Sequence, residues 1–336
     1  MLSNSQGKIN ISFSIARVFA ILSIVAAHVS IKSPELIAKI VSTGSSIGVI
    51  TFIILSGYFY HSSKYNNVFS MLKGKAAAIF CPWLFMGSAV YLYNAILSGD
   101  GISPIKWILY IIGYKTYLYY LTVLVLCYLI FYKRNRTTMY ISMGITAVSL
   151  YLTAAGIISP VIESMHLTDY LNVFNWVGYF AAGCLMQEIS AEKILVFLRK
   201  TRYIAIAIYL AMYAVIVILN IPTGYFSYIG MPYQLIGVWC ILGISTFDFL
   251  DIKLLHKISN MTFGVYLLHM IIIGLSDRIY MLNSVTKLIS PVIVAGFSLI
   301  VLYIGYFIAS KIKLGDLYCT LTGIRMKRDI KEKIYE

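Results

Sequence analysis

The chain has 336 residues, 60% of them hydrophobic and 12% charged, with a formal net charge of +14 and a mean hydropathy of +0.83. Soluble domains carry about 25% charged residues, so a soluble fold is excluded. The apolar runs are long and do not alternate, which excludes an outer-membrane barrel.

Ten apolar segments are predicted to span a membrane, near residues 11–31, 44–61, 76–98, 114–132, 139–158, 171–187, 203–221, 231–247, 261–277 and 288–310. The expected fold class is all-α: a polytopic integral membrane helical bundle of about ten transmembrane helices. With the N-terminus in the cytoplasm, 20 of the 27 Lys and Arg fall on the cytoplasmic side. Six (Lys32, Lys39, Lys106, Lys115, Arg278, Lys287) fall on the other side, and Arg17 lies within a span. This asymmetry predicts that both termini are cytoplasmic. The basic charge is then a topology signal with some attraction to membrane lipid, and nucleic acid is not expected as a partner.

The first segment lacks a small-residue cleavage site after a short apolar core, so it reads as a retained span. It carries Arg17 and His28, two ionisable groups in otherwise apolar surroundings, where such groups usually mark a partner or a reaction site. Their i,i+11 spacing closes three helical turns to within about 20° and puts both on one face, roughly 16 Å apart along the axis. The second segment contains a polar island, Phe52-Ile-Ile-Leu-Ser56-Gly57-Tyr58. Ser-Gly by itself also suits close helix packing. Lys73 and Lys75 precede the third segment, and Pro82-Trp83 falls inside it, which predicts a kink with freed backbone groups.

Ser98 to Pro104 is turn chemistry that ends the third span. The apolar stretch 105–113 is too short to cross and reads as re-entrant or interfacial. Pro160 and Pro222 sit just past span ends. In the ninth segment, spacings of four and three residues place Thr262, Tyr266 and His269 on one helical stripe. That stripe is expected either to satisfy itself between helices or to face His28 across a polar cavity. Residues 1–313 are taken as one membrane domain, followed by a basic cytoplasmic tail, 314–336.

The chemistry on offer is narrow. All 13 Asp and Glu fall in loops or near span ends. A proton- or sodium-coupled carrier wants a buried carboxylate, so that reading weakens, as does a two-carboxylate hydrolase. His61, His166 and His256 lie near loops and read as solvated. The five cysteines are scattered without metal-like spacing, so no metal site and no disulfide framework is expected. Most of the 28 tyrosines suit an aromatic belt, whereas a mid-depth one such as Tyr266 needs a partner.

Arg17 and His28 with ten residues between them, the Phe52…Leu55-Ser56-Gly57-Tyr58 run and Thr262-Phe-Gly-Val-Tyr266-Leu-Leu-His269 resemble the membrane-bound acyltransferase family 3. That family comprises ten-span bacterial proteins that O-acylate lipopolysaccharide, capsule and other surface glycans. The motifs keep the family's order and the resemblance covers essentially the whole chain. Lys73, Lys75 and Pro82-Trp83 are similar to its basic stretch and the Pro-aromatic start of its third span. Tyr117-Leu-Tyr-Tyr-Leu121 looks like a variant of its His-Leu-Trp-Tyr/Phe-Leu run. Departures are Ser14 where Asp is common, Tyr117 and Tyr119 for His and Trp, Gly48-Val-Ile-Thr51 before the Phe-rich run, and lysines where arginines are frequent.

The resemblance implies transfer of an acyl group, most often acetyl, from cytoplasmic acyl-CoA to a hydroxyl of a surface glycan or its lipid-linked precursor. It implies a location in the bacterial inner membrane and no permanently bound cofactor, with acetyl-CoA as donor substrate. Arg17 would hold the CoA end, with Lys73 and Lys75 on its phosphates, and His28 would act as general base on the acceptor hydroxyl. Thr262, Tyr266, His269 and Ser56 would bind or orient substrate. An acyl-His28 or acyl-Ser56 relay is the in-class alternative. From other classes, a glycan polymerase or lipid-linked sugar transporter would use Arg17 to grip a pyrophosphate lipid, and a membrane scaffold would leave Arg17 snorkelling.

Overall fold

Away from water every backbone N–H and C=O must pair internally, which leaves a chain of this composition little choice but helix. The computed structural model describes residues 2–30, 35–99, 101–279 and 284–326, and no strand occurs among them. Lys32 and the tail residues 327–336 lie outside the described residues, as do the side chains of Arg278 and Lys287.

The chain opens with α1 (Leu2–Ser30), then α2 (Glu35–Thr43), which passes through a 3-10 turn into α3 (Gly48–Tyr58). Next, α4 (Val68–Lys75) continues through a π-turn at Ala76–Phe80 into α5 (Cys81–Ser98). The short α6 (Pro104–Ile111) precedes α7 (Tyr119–Ile130), α8 (Arg136–Ala154), α9 (Ser159–Ser164) and α10 (Val177–Gln187). The second half holds α11 (Ala191–Leu219), α12 (Gly230–Ile244), α13 (Lys253–Ser259), α14 (Thr262–Ile279), α15 (Ser284–Lys311) and α16 (Gly315–Thr322). Side-chain caps mark several starts: Asn67, Ser103, Asn135 and Ser190 each accept a hydrogen bond from a first-turn backbone N–H.

Each of the ten expected segments holds a helix, but they are not equal. Among the described residues, the stretches Ser5–Val29, Leu36–Tyr58, Val68–Ser98, Ala191–Leu219 and Leu288–Lys311 are long and apolar enough to cross a membrane. The pair α13 and α14, bent by 69°, makes a sixth if taken as one span. The helices α7, α10 and α12 run 12, 11 and 15 residues. At 1.5 Å per residue these fall short of a hydrocarbon core of about 30 Å. Broken helices of this kind occur where irregular backbone lines a protein cavity rather than lipid.

The bundle is organised around α1, which packs on α3, α11, α14 and α15. Ile9, Phe13, Ala16 and Ala20 are fully buried on it. The outer helices α8, α11 and α15 turn Tyr140, Ile218, Ile304 and other large apolar side chains outward, as a lipid-facing surface requires. The tightest pair is α3 against α10. A Cβ placed on Gly57 would collide with the Phe180 carbonyl, and one on Gly183 with the Ile54 carbonyl. Gly57 is thus the packing residue of the Ser-Gly island, which leaves Ser56 on another face.

The expected kink at Pro82 takes a specific form. Pro82 lies in the first turn of α5 and the disturbance sits just before it, as the π-turn Ala76–Phe80. A proline lacks the N–H that would bond four residues back, and a wider turn accommodates the loss. The stretch 105–113 is a short helix, α6, whose end is held by the indole N–H of Trp83 donating to the Ile111 carbonyl at 2.9 Å.

Candidate active site

The central position of α1 puts its polar face inside the protein. Arg17 and His28 open into two different cavities, and these cavities share Ile24 and Tyr266 as lining.

The first cavity has a volume of about 150 Å³ and is lined by Arg17, Ser56, Tyr120, Tyr128, Asn260, Thr262 and Arg325, among others. The Arg17 guanidinium lies 4.8 Å from the centroid of the Phe59 ring. Lys75 places its Nζ 4.3 Å from the Tyr128 centroid and 5.7 Å from that of Tyr60. Arg325 comes close enough to both Arg17 and Lys75 for the three charges to interact. Among the described residues no carboxylate reaches salt-bridge distance of any of them. Aromatic faces stabilise Arg17 and Lys75 by about 0.5–2 kcal/mol each but neutralise neither charge. Three like charges with no counterion among the described residues make this end of the bundle strongly electropositive.

Arg325 gets there by tertiary folding. Past α16, Gly323 turns with a φ of +74° and Ile324 is buried. The Arg325 N–H then donates to the Asn260 carbonyl at 2.9 Å. Residues 315–326 therefore pack on α5 and α15 and close one cavity wall. The π-turn contributes Ala78 and Ile79 to the same cavity.

The second cavity, of about 840 Å³, is lined by His28, Lys115, Glu163 and Asp169 and, besides Tyr266, by the rings of Tyr114, Tyr117, Tyr119, Tyr170, Tyr225 and Phe226. The Asp169 carboxylate accepts from the Ser159 hydroxyl at 2.9 Å. His28 sits in the last turn of α1 and makes no hydrogen bond among the described residues. Its ring centroid is 5.0 Å from that of His269 and 6.2 Å from that of Tyr117.

The wall between the cavities is built reciprocally. The Tyr266 hydroxyl donates to the Tyr117 carbonyl, and the Tyr117 hydroxyl donates to the Leu267 carbonyl at 2.8 Å. The start of α7 faces both ways: Tyr117 and Tyr119 line the second cavity, while Tyr120 and Leu121 line the first.

The expected stripe on α14 is therefore divided. Thr262 lines the first cavity and donates to the Ser259 carbonyl at 2.9 Å. Tyr266 is in the wall, and His269 lies fully buried beside His28. Ser56 faces the first cavity, with its Oγ 3.5 Å from the Tyr120 hydroxyl. Lys73 is exposed and lines neither cavity.

Against this geometry, the family model described as an acyltransferase domain, that of the acyltransferase 3 family, matches residues 10–310. The chain belongs to the acyltransferase 3 family. Comparison with curated proteins and with solved structures gave no match. Membership makes the protein a multi-pass helical membrane acyltransferase, and the polymerase, transporter and scaffold readings fall away. The matched range takes in every candidate residue named from sequence, and it ends before Arg325. In this acyltransferase Arg325, Tyr128 and Asp169 line the cavities without standing out in the sequence. Arg325 and Asp169 lie far from the motifs along the chain and reach a cavity only through packing, whereas Tyr128 follows the Tyr117–Leu121 run on α7. Tyr117 to Leu121 did carry a signal, as a run similar to a family motif.

Proposed function

We propose that this acyltransferase moves an acetyl group from cytoplasmic acetyl-CoA to a sugar hydroxyl of a surface glycan, or its lipid-linked precursor, in the bacterial inner membrane. The chain would cross ten times with both termini cytoplasmic, the shorter helices crossing as parts of broken spans. The observation that carries this reading is the abutment of two unlike cavities at Ile24 and Tyr266. One is lined by Arg17 and Arg325, with Lys75 just behind the Tyr128 ring, and suits the phosphates of a CoA thioester. The other sets His28 among aromatic rings and two carboxylates, the surroundings in which a polyol stacks and hydrogen-bonds.

In this reading the thioester reaches the dividing wall from the Arg17 side while the acceptor hydroxyl meets His28. His28 removes the hydroxyl proton as the oxygen attacks the thioester carbonyl. The C–O bond forms, the C–S bond breaks, and the leaving thiolate takes the proton from the imidazolium to depart as free CoA thiol. The direct route is preferred over an acyl-Ser56 relay. Ser56 lines the other cavity from His28, and its one side-chain partner is the Tyr120 hydroxyl, which is no base at neutral pH.

The test uses membranes carrying the protein, radiolabelled acetyl-CoA, and label read in the glycan fraction. Turnover is expected to fall by roughly 10²–10⁴ in His28→Ala. For Arg17→Ala the KM for acetyl-CoA should rise about 10- to 100-fold, the equivalent of losing one charge-assisted hydrogen bond. No label transfer, or full transfer by His28→Ala, sinks the reading.

A further inference from the structure

His269 is fully buried, and one of its ring nitrogens has a settled role. Nδ1 lies 2.6 Å from the Tyr266 carbonyl oxygen. A carbonyl only accepts, so Nδ1 carries the ring proton and Nε2 is left as a lone-pair acceptor. That Nε2 has no hydrogen-bond partner among the described residues. Buried acceptors are seldom left so, and an exception asks for an explanation.

The rings packed on His269 are those of His28, Tyr117 and Tyr266. The two phenol protons are already committed, Tyr117 to the Leu267 carbonyl and Tyr266 to the Tyr117 carbonyl. His28 is the remaining ring, and no hydrogen bond within the described residues holds it. At a centroid separation of 5.0 Å, a nitrogen of one imidazole meets a nitrogen of the other at hydrogen-bond distance once the two face each other.

We infer that His269 is a positioning residue for His28: its Nε2 accepts the N–H of His28, so that the other nitrogen of His28 points its lone pair at the acceptor hydroxyl. This rests on the reading of His28 as general base. During transfer one His28 nitrogen takes the hydroxyl proton while the other keeps its N–H on His269, and the proton gained leaves with the CoA thiol. No proton is exchanged with His269. The Tyr266 carbonyl fixes the tautomer of His269, and His269 fixes that of His28, the order in which a carboxylate orients a catalytic imidazole in hydrolytic triads. An acceptor without charge suits this place, because a buried carboxylate would need a counter-charge of its own.

The same membrane assay tests it with His269→Leu, His269→Gln, His28→Ala and the His28→Ala/His269→Leu pair, each checked for protein level and for an unchanged melting profile after extraction. His269→Leu should lower kcat about 100-fold and leave KM for acetyl-CoA and for the glycan acceptor within twofold. His269→Gln, whose amide oxygen replaces the Nε2 acceptor, should recover most of that loss. In the His28→Ala background the Leu change should cost nothing more, because a residue acting through His28 has nothing left to act on. Equal losses for Leu and Gln, a rise in acceptor KM at unchanged kcat, or additive losses in the pair overturn the positioning role and leave the base reading standing. Full turnover by His28→Ala overturns both.

Discussion

Arg17 and Arg325 line the first cavity, Lys75 lies close enough to Arg325 to add its charge, and no carboxylate among the described residues pairs with any of the three, so charge density there matters more than the identity of any one residue. Lys75 is half-buried against Tyr60 and Tyr128, whereas Lys73, two residues earlier, is in solvent. The two lysines should separate cleanly. Lys75→Ala is expected to raise the KM for acetyl-CoA by about tenfold, matching about 1.4 kcal/mol, while Lys73→Ala leaves it within twofold. Arg325→Ala should resemble Lys75→Ala in its KM and leave turnover at saturating donor unchanged, since it contacts no reacting atom. Initial rates across a range of acetyl-CoA concentrations decide both. The sequence showed Arg17 because an arginine in an apolar run has no bland explanation. It could not show Arg325, one arginine among several in a charged tail, since only the turn at Gly323 and the buried Ile324 aim it inward.

Among elements, the α3–α10 contact governs where Ser56 points and how closely these two helices approach. Two backbones meet there with glycine on each side. Gly183→Leu is expected to destabilise the protein by about 1–3 kcal/mol or more through overpacking, with loss of yield and a lower melting temperature in detergent. A Gly144→Ala change on α8, where nothing crowds the added methyl, should leave both unchanged. Helix existence was legible because apolar length and polar interruptions are local properties. Helix length was not. The π-turn before Pro82, the 69° bend between α13 and α14 and the late start of α7 are responses to neighbours and to the cavities they line.

For the molecule as a whole, the proposed reaction gives the two cavities a direction, with the donor side at Arg17 and the acceptor side at His28. Cysteines introduced singly at Lys64 and Lys115, in a background without the five native cysteines, test that direction with a membrane-impermeant thiol reagent. Cys at 115 should react in intact cells and Cys at 64 only after permeabilisation; the reverse pattern inverts the topology. Tyr266 separates the compartments, and its hydroxyl bond to the Tyr117 carbonyl holds the wall. Tyr266→Phe should cut turnover by a modest factor, whereas Tyr266→Ala, which opens one cavity into the other, should also raise thioester hydrolysis by water. Release of CoA thiol without acceptor measures that leak.

The sequence by itself determined that this protein is a helical membrane acyltransferase and that Arg17 and His28 share a face of its first helix. Membrane helices follow from composition, the shared face from the 3.6-residue repeat, and the activity from motifs that resemble the acyltransferase 3 family, all of which a single chain carries locally. The tertiary structure alone decided that this shared face opens into two chambers, that Tyr266 and Ile24 divide them, and that Arg325 and Asp169 complete them. It also set the ring of His269 5.0 Å from that of His28. A helical repeat states which side chains line up along one axis, but which distant segment packs against that line is fixed by the mutual packing of many helices.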